Sequence, residues 1–259
     1  MPLQDYQSEL EQALFEAGTG SQVELPQRSL DADQAYAIQR GVAARGASPV
    51  KAWKLGLTSQ GSRDAFGAAE PLVGRLPAAA ISTQDKTIAF APPEMYAEAE
   101  VVFEMGEDLA PKAGAYTRED LVPAIRAIHA GIEIVRSRFV TTDLPLPLLI
   151  ADNVMGHALV LGQKLTDGWD DTFADMPVSL TRNGDEVAEG ATSLVMGNPL
   201  DAVVWLANWL RDKEGETLRK GQLIASGTCT GATQIYNDDV IHIDFGGATM
   251  ARVSVCNDQ

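Results

Sequence analysis

Glu98 and Glu100 stand two residues apart in "MYAEAEVVFEMG", residues 95–106, a stretch whose Val101, Val102, Phe103 and Met105 otherwise belong in a core. On a strand alternate residues share a face, so Glu98, Glu100, Val102 and Glu104 point one way and Ala99, Val101, Phe103 and Met105 the other. Two carboxylates then lie side by side. A third acid, Glu133 in "AIHAGIEIVRSRF", is flanked by Ile132 and Ile134, where a lone buried charge is costly or becomes neutralised. Three carboxylates, with water in the remaining positions, suit a hard divalent cation such as Mg2+ or Mn2+. The strand by itself fits a solvated face of an acidic protein equally well; Glu133, in its apolar setting, favours the cation.

Other chemistries find less support. His129, His157 and His242 lie far apart, and Cys229 and Cys256 form no paired spacing, so zinc is disfavoured. His157 stands out among the three because it closes the polar stretch "ADNVMGH". "GLTSQGSRDAFG" lacks both the Lys-Ser/Thr ending of a P-loop and the GxGxxG fingerprint, so no nucleotide cofactor is expected. With 36 acids against 20 bases the formal charge is -16, which repels phosphate backbones and makes nucleic acid a poor partner. The longest apolar runs, such as residues 144–151, are broken by Pro145 and Pro147 and fall short of the roughly 20 residues that span a bilayer. Two cysteines and no basic-then-apolar opening segment lead to the expectation of a reducing cytoplasm.

The elements that must position these acids follow from periodicity. Leu3, Tyr6, Leu10 and Leu14 recur at helical spacing until Gly18, and a second helix starts near Asp31, carrying Tyr36, Ile38 and Val42 inward. From "VKAWKLGLTS" onward the period shortens toward two and β-branched residues bounded by Gly and Pro become frequent. Asn183-Gly184 marks a hairpin, Thr117 with Asp120 a capped helix start, and Asn198-Pro199 another. Strands return at "GQLIASGTCTGATQIY", "VIHIDFGG" and "MARVSV". The expected fold is α+β, a helical N-terminal subdomain over 1–75 packed on a β-rich mixed-sheet catalytic domain over 76–259.

Six segments, "WKLGLTS", "EAEVVF", "GIEIVRSRF", "DNVMGHALVLG", "GNPLDAVVWLANWL" and "HIDFGG", occur in an order that resembles the 2-oxopent-4-enoate hydratase and 4-oxalocrotonate decarboxylase family of the fumarylacetoacetate hydrolase superfamily. The resemblance covers nearly the whole chain. It implies a β-rich mixed fold, a Mg2+ or Mn2+ site on Glu98, Glu100 and Glu133, an active-site lysine at Lys54, homo-oligomers, and action on small 2-hydroxydienoate or 2-oxo acids of aromatic catabolism. Such an acid chelates a metal through its carboxylate and keto oxygen, and the metal as Lewis acid stabilises the enolate formed when a proton shifts.

Three positions depart from the hydratase pattern. Leu72 stands where an aspartate is usual, Val154 and Met155 replace serines after the Asp-Asn pair, and Arg136 replaces an acid after "EIV". His157 or Thr230 is then expected to supply the lost polar group. The metal-dependent hydratase is the leading expectation, with a 4-oxalocrotonate-type decarboxylase as its alternative. A non-catalytic assembly partner is a third reading, against which retention of Lys54 and all three acids argues.

Overall fold

In a computed structural model that describes residues 3–18, 21–46, 48–83 and 86–257, the acid-bearing strand lies in the middle of a sheet. The chain begins with helices α1 (Leu3–Ala17) and α2 (Ala32–Arg45), followed by β1 (Val50–Gly56), α3 (Gln60–Phe66), β2 (Leu72–Pro77), β3 (Ile81–Thr83) and β4 (Lys86–Phe90). Next come β5 (Met95–Met105), α4 (Arg118–Leu121), β6 (Ile125–Arg136), α5 (Leu146–Ala151), β7 (Gly156–Asp167), β8 (Pro177–Arg182) and β9 (Asp185–Ala191). The C-terminal part holds α6 (Pro199–Trp209), β10 (Leu223–Thr228), β11 (Thr233–Ile235), β12 (Val240–Phe245) and β13 (Ala248–Asn257).

Eight strands form one sheet in the order β2-β1-β10-β5-β6-β7-β3, with β11 pairing on β5, and five form a second, β4-β13-β12-β8-β9. Most pairs are antiparallel; β1 with β10, β3 with β7 and β4 with β13 are parallel. This is the mixed-sheet α+β fold expected. The boundary expected at residue 75 falls inside β2, and β1 and β2 run in the same sheet as β5 and β6.

Alternation is kept across the central strands. Trp53, Val101, Phe103, Ile132, Ile134, Val160 and Ile224 face the main core, which the second sheet closes with Ile241, Ile243, Val253 and Val255. On the opposite face Ala52, Leu76, Val102, Leu159, Leu223 and Ala225 make a smaller apolar cluster. Lys54, Glu98, Glu100 and Glu133 share that second face by their two-residue spacing from Ala52, Val102 and one another.

The local signals that start and stop these elements act as read. Asp31 accepts from Gln34 N at 2.8 Å while Gln34 Oε1 accepts from Asp31 N, a reciprocal capping box. Asn198 accepts from Leu200 N at 2.9 Å, with Pro199 as the first helical residue. Asn183 and Gly184 have φ of 57° and 94°, the left-handed pair that a tight two-residue hairpin needs between β8 and β9. Among the described residues no helix is long and apolar enough to cross a membrane.

Candidate metal centre

Strand register sets the acids against each other. Glu98 on β5 lies directly opposite Glu133 on β6, and Glu100 is opposite Gly131. Like charges in such a pair repel, yet one carboxylate oxygen from each of Glu98, Glu100 and Glu133 falls within 4.8 Å of the other two. Glu100 and Glu133 are fully buried. Gly227 N donates to Glu100 Oε2 at 3.0 Å, but among the described residues Glu100 Oε1 and Glu133 Oε2 have no hydrogen-bond donor.

Lys54 enters from β1. Its Nζ donates to Val154 O at 2.8 Å and lies 3.3 Å from Glu133 Oε1. Two glycines make the room: a Cβ on Gly74 would stand 2.6 Å from Lys54 Cγ, and one on Gly227 would meet the Thr58 side chain at 2.3 Å. The carbonyl that holds Lys54 belongs to an unusual turn. Asn153, Val154 and Met155 have φ of 58°, 54° and 58°, a left-handed run that is costly for the β-branched valine. Asn153 pins it by accepting from Arg75 N at 2.7 Å and donating Nδ2 to Arg75 O at 2.9 Å.

One ammonium facing three carboxylates leaves the cluster short of positive charge. Burial pushes Glu133 up to about 7, with Lys54 opposing and Glu98 reinforcing the shift. Burial also raises Glu98, and it raises Glu100 well above the usual range with the help of Glu133 and Glu98. Burial works against the Lys54 ammonium, but Glu133, Glu98 and Glu100 together outweigh it and the net shift is upward. Such a cluster of perturbed groups in a cleft is typical of functional sites. The buried acceptors without donors and the all-oxygen donor set fit a hard dication. Cys229, also buried nearby, is a poor competitor as a soft ligand: burial and then Glu100 push its thiol up, away from the thiolate.

The cluster opens into a cavity of about 590 Å3. Lys54 and Glu98 line it together with the hydroxyl-bearing residues Thr58, Tyr96, Thr142 and Thr230 and with Phe66, Leu149 and Met155. Of the residues singled out in the sequence, Lys54, Glu98, Glu100 and Glu133 come together here, and Thr230 joins their cavity. His157 does not: it lines a separate cavity beside Arg136 and Arg138, where burial, then Arg136 and Arg138, push it down to about 4. Leu72 is buried in the main core. Tyr96 and Thr142 were not anticipated; each donates to Glu94 Oε2 at 2.8 Å at the cavity wall. The signal for Tyr96 was present in the two-residue spacing that links it to Glu98 and Glu100.

Comparison with known proteins gives the family and the fold. The model of the fumarylacetoacetate (FAA) hydrolase C-terminal family matches residues 42–255. A TodF product hydratase of Pseudomonas putida is 32% identical over 247 residues, 90% of this chain and 89% of that protein. A 2-keto-4-pentenoate hydratase of Paraburkholderia xenovorans is 29% identical over 97% of this chain and 95% of its own. In fold the chain is similar to 4-oxalocrotonate decarboxylase from Pseudomonas putida G7, solved with magnesium and adipate, at a TM-score of 0.87 and 20% identity over 98% of this chain and 99% of that one.

Proposed function

The chain belongs to the fumarylacetoacetate hydrolase family, and from that premise we propose that it is a divalent-metal-dependent lyase of aromatic catabolism that adds water to a 2-hydroxypenta-2,4-dienoate-type acid. The convergence of Glu98, Glu100 and Glu133 beside Lys54, with two buried oxygens lacking donors among the described residues, carries this reading. Hydratase relatives at up to 32% identity support it, and magnesium in the 4-oxalocrotonate decarboxylase structure supports Mg2+ or Mn2+ as the ion.

Glu98, Glu100 and Glu133 would hold the cation, which when bound supplies a Lewis acid for the substrate's carboxylate and 2-oxygen. Lys54 keeps its proton, since its neighbours raise it, and so presents a fixed positive charge where negative charge develops on the substrate. Thr58, Tyr96, Thr142 and Thr230 offer hydroxyls that position water, with Thr230 in the role left by the missing serines. Phe66, Leu149, Val154, Met155 and Leu194 form a wall for the hydrocarbon end.

That wall separates the hydratase reading from the decarboxylase one. A 4-oxalocrotonate-type diacid brings a second carboxylate, and among the described residues Lys54 is the only basic side chain lining the cavity. A carboxylate set against leucine and methionine would lose its hydration without a partner. A monoacid meets no such cost.

Two free cysteines and the family resemblance support a cytoplasmic homo-oligomer. Sedimentation is expected to show a species larger than the 27.7 kDa chain. The deciding experiment incubates the Mg2+-loaded protein with each acid. Loss of the dienoate absorbance with no release of CO2 from the diacid is expected; CO2 release without hydration would contradict the proposal.

A further inference from the structure

A second cavity, of about 460 Å3, lies on the other side of the 153–155 turn. Its polar wall carries Arg75, Arg136, Arg138, Asn153 and His157, and its apolar wall carries Leu14, Phe15, Val42 and Ala80. In a chain with a formal charge of -16, three arginines set against Glu214 and Asp152 leave this cavity with a local excess of positive charge, which favours anions.

The three differ in how they are satisfied. Arg75 is paired with Glu214 at 2.9 Å and also donates to Gln39 Oε1. Arg138 Nε is 3.0 Å from Asp152 Oδ1, and its Nη2 donates to Asp152 O. Arg136 has no carboxylate within ion-pair distance among the described residues and feels only the more distant Asp152, which Arg138 holds. It is only 3% exposed; among the described residues its guanidinium makes one hydrogen bond, from Nε to Pro92 O at 2.8 Å, and Nη2 is buried without an acceptor. A buried charged donor without an acceptor is unfavourable, and an arriving carboxylate relieves it with a charge-assisted bond. His157, neutral at pH 7, adds a hydrogen-bond donor without adding charge. Nothing in the proposed reaction uses Arg136, Arg138 or His157.

We propose that this cavity is a binding site for a small organic monocarboxylate with an apolar tail, its head group taken by Arg136 with Arg138 and His157 beside it and its tail lying toward Leu14, Phe15 and Val42. The volume is within the range of small-molecule sites and suits a short-chain acid. The site is distinct from the cavity of Lys54 and Glu98.

Hexanoate is the probe, titrated by calorimetry at pH 7 into the Mg2+-loaded full chain, with hexylamine as the charge-reversed control. One saturable hexanoate site per chain is expected in the wild type and in Lys54→Met, with at least tenfold weaker binding in Arg136→Met and no binding of hexylamine. Turnover of the dienoate substrate by Arg136→Met should stay within twofold of wild type. Should Arg136→Met fail to fold by circular dichroism, Val42→Trp, which fills the tail region, must weaken hexanoate by the same tenfold. Hexanoate binding lost in Lys54→Met but kept in Arg136→Met would place the acid in the catalytic cavity and overturn the proposal. Absence of binding in the wild type would overturn it as well, and a changed sedimentation coefficient of Arg136→Met would then assign the face to a contact between copies of the chain.

Discussion

The cavity of Lys54 and the cavity of Arg136 flank the same left-handed turn and hold opposite charge. On one side three carboxylates face a single lysine, and among the described residues two of their oxygens lack donors. On the other side Arg75 and Arg138 are matched to Glu214 and Asp152 within the chain, and among the described residues Arg136 has no ion pair of its own, only the more distant field of Asp152. Paired charges such as Arg75–Glu214 fix the scaffold. Unpaired buried charges mark where something from outside must complete the structure, because isolated burial is too costly to persist without a compensating partner.

The comparison breaks most visibly at Lys54, among the described residues the one basic side chain on the acidic side. Lys54→Met is expected to lower kcat about a thousandfold, about 4 kcal/mol of transition-state stabilisation, while leaving the Tm of the metal-loaded protein nearly unchanged. Near wild-type turnover would mean that the lysine serves only its ion pair with Glu133.

A pH series on the metal-free protein sharpens the contrast further. Glu133 is raised from the ordinary carboxylate value to about 7, so between those values the folded chain binds more protons than the unfolded one. Stability from this group is therefore full below about pH 4.5 and lost as pH rises through about 7, a swing of about 3 kcal/mol. Denaturant titrations of metal-free wild type and Glu133→Gln should differ by that slope, and Mg2+ should abolish it in the wild type. Parallel curves would contradict the assigned protonation.

The turn between the cavities gives the smallest effect. Asn153→Ala removes two buried hydrogen bonds to the Arg75 backbone and should destabilise the chain by about 2 kcal/mol, a fall in Tm of about 6 °C. Calorimetric scanning checks it; an unchanged Tm would show that the strained turn holds itself.

Much of this arrangement could be read from residue order. Period-two alternation placed Glu98 and Glu100 on the face away from Phe103, the flanking isoleucines singled out Glu133, and the helix start at Asp31, the cap at Asn198 and the Asn183-Gly184 hairpin acted locally, within four residues. His157 was unreadable for a physical reason. Nothing in "DNVMGH" announces that Asn153, Val154 and Met155 all take left-handed φ, against the preference of a β-branched residue. That turn sends Val154 and Met155 to one cavity and Asn153 and His157 to the other. The place of β1 and β2 in the central sheet depends on the parallel pairing of β1 with β10, more than 160 residues away in the chain, and no local pattern encodes such a contact.

Calorimetric titration of Mn2+ into wild type, Glu98→Ala and Glu133→Ala tests the acidic cluster most directly. One divalent ion per chain should bind the wild type, and both variants should lose that binding while keeping their far-UV circular dichroism. Unchanged affinity in both folded variants would contradict a metal centre at Glu98, Glu100 and Glu133.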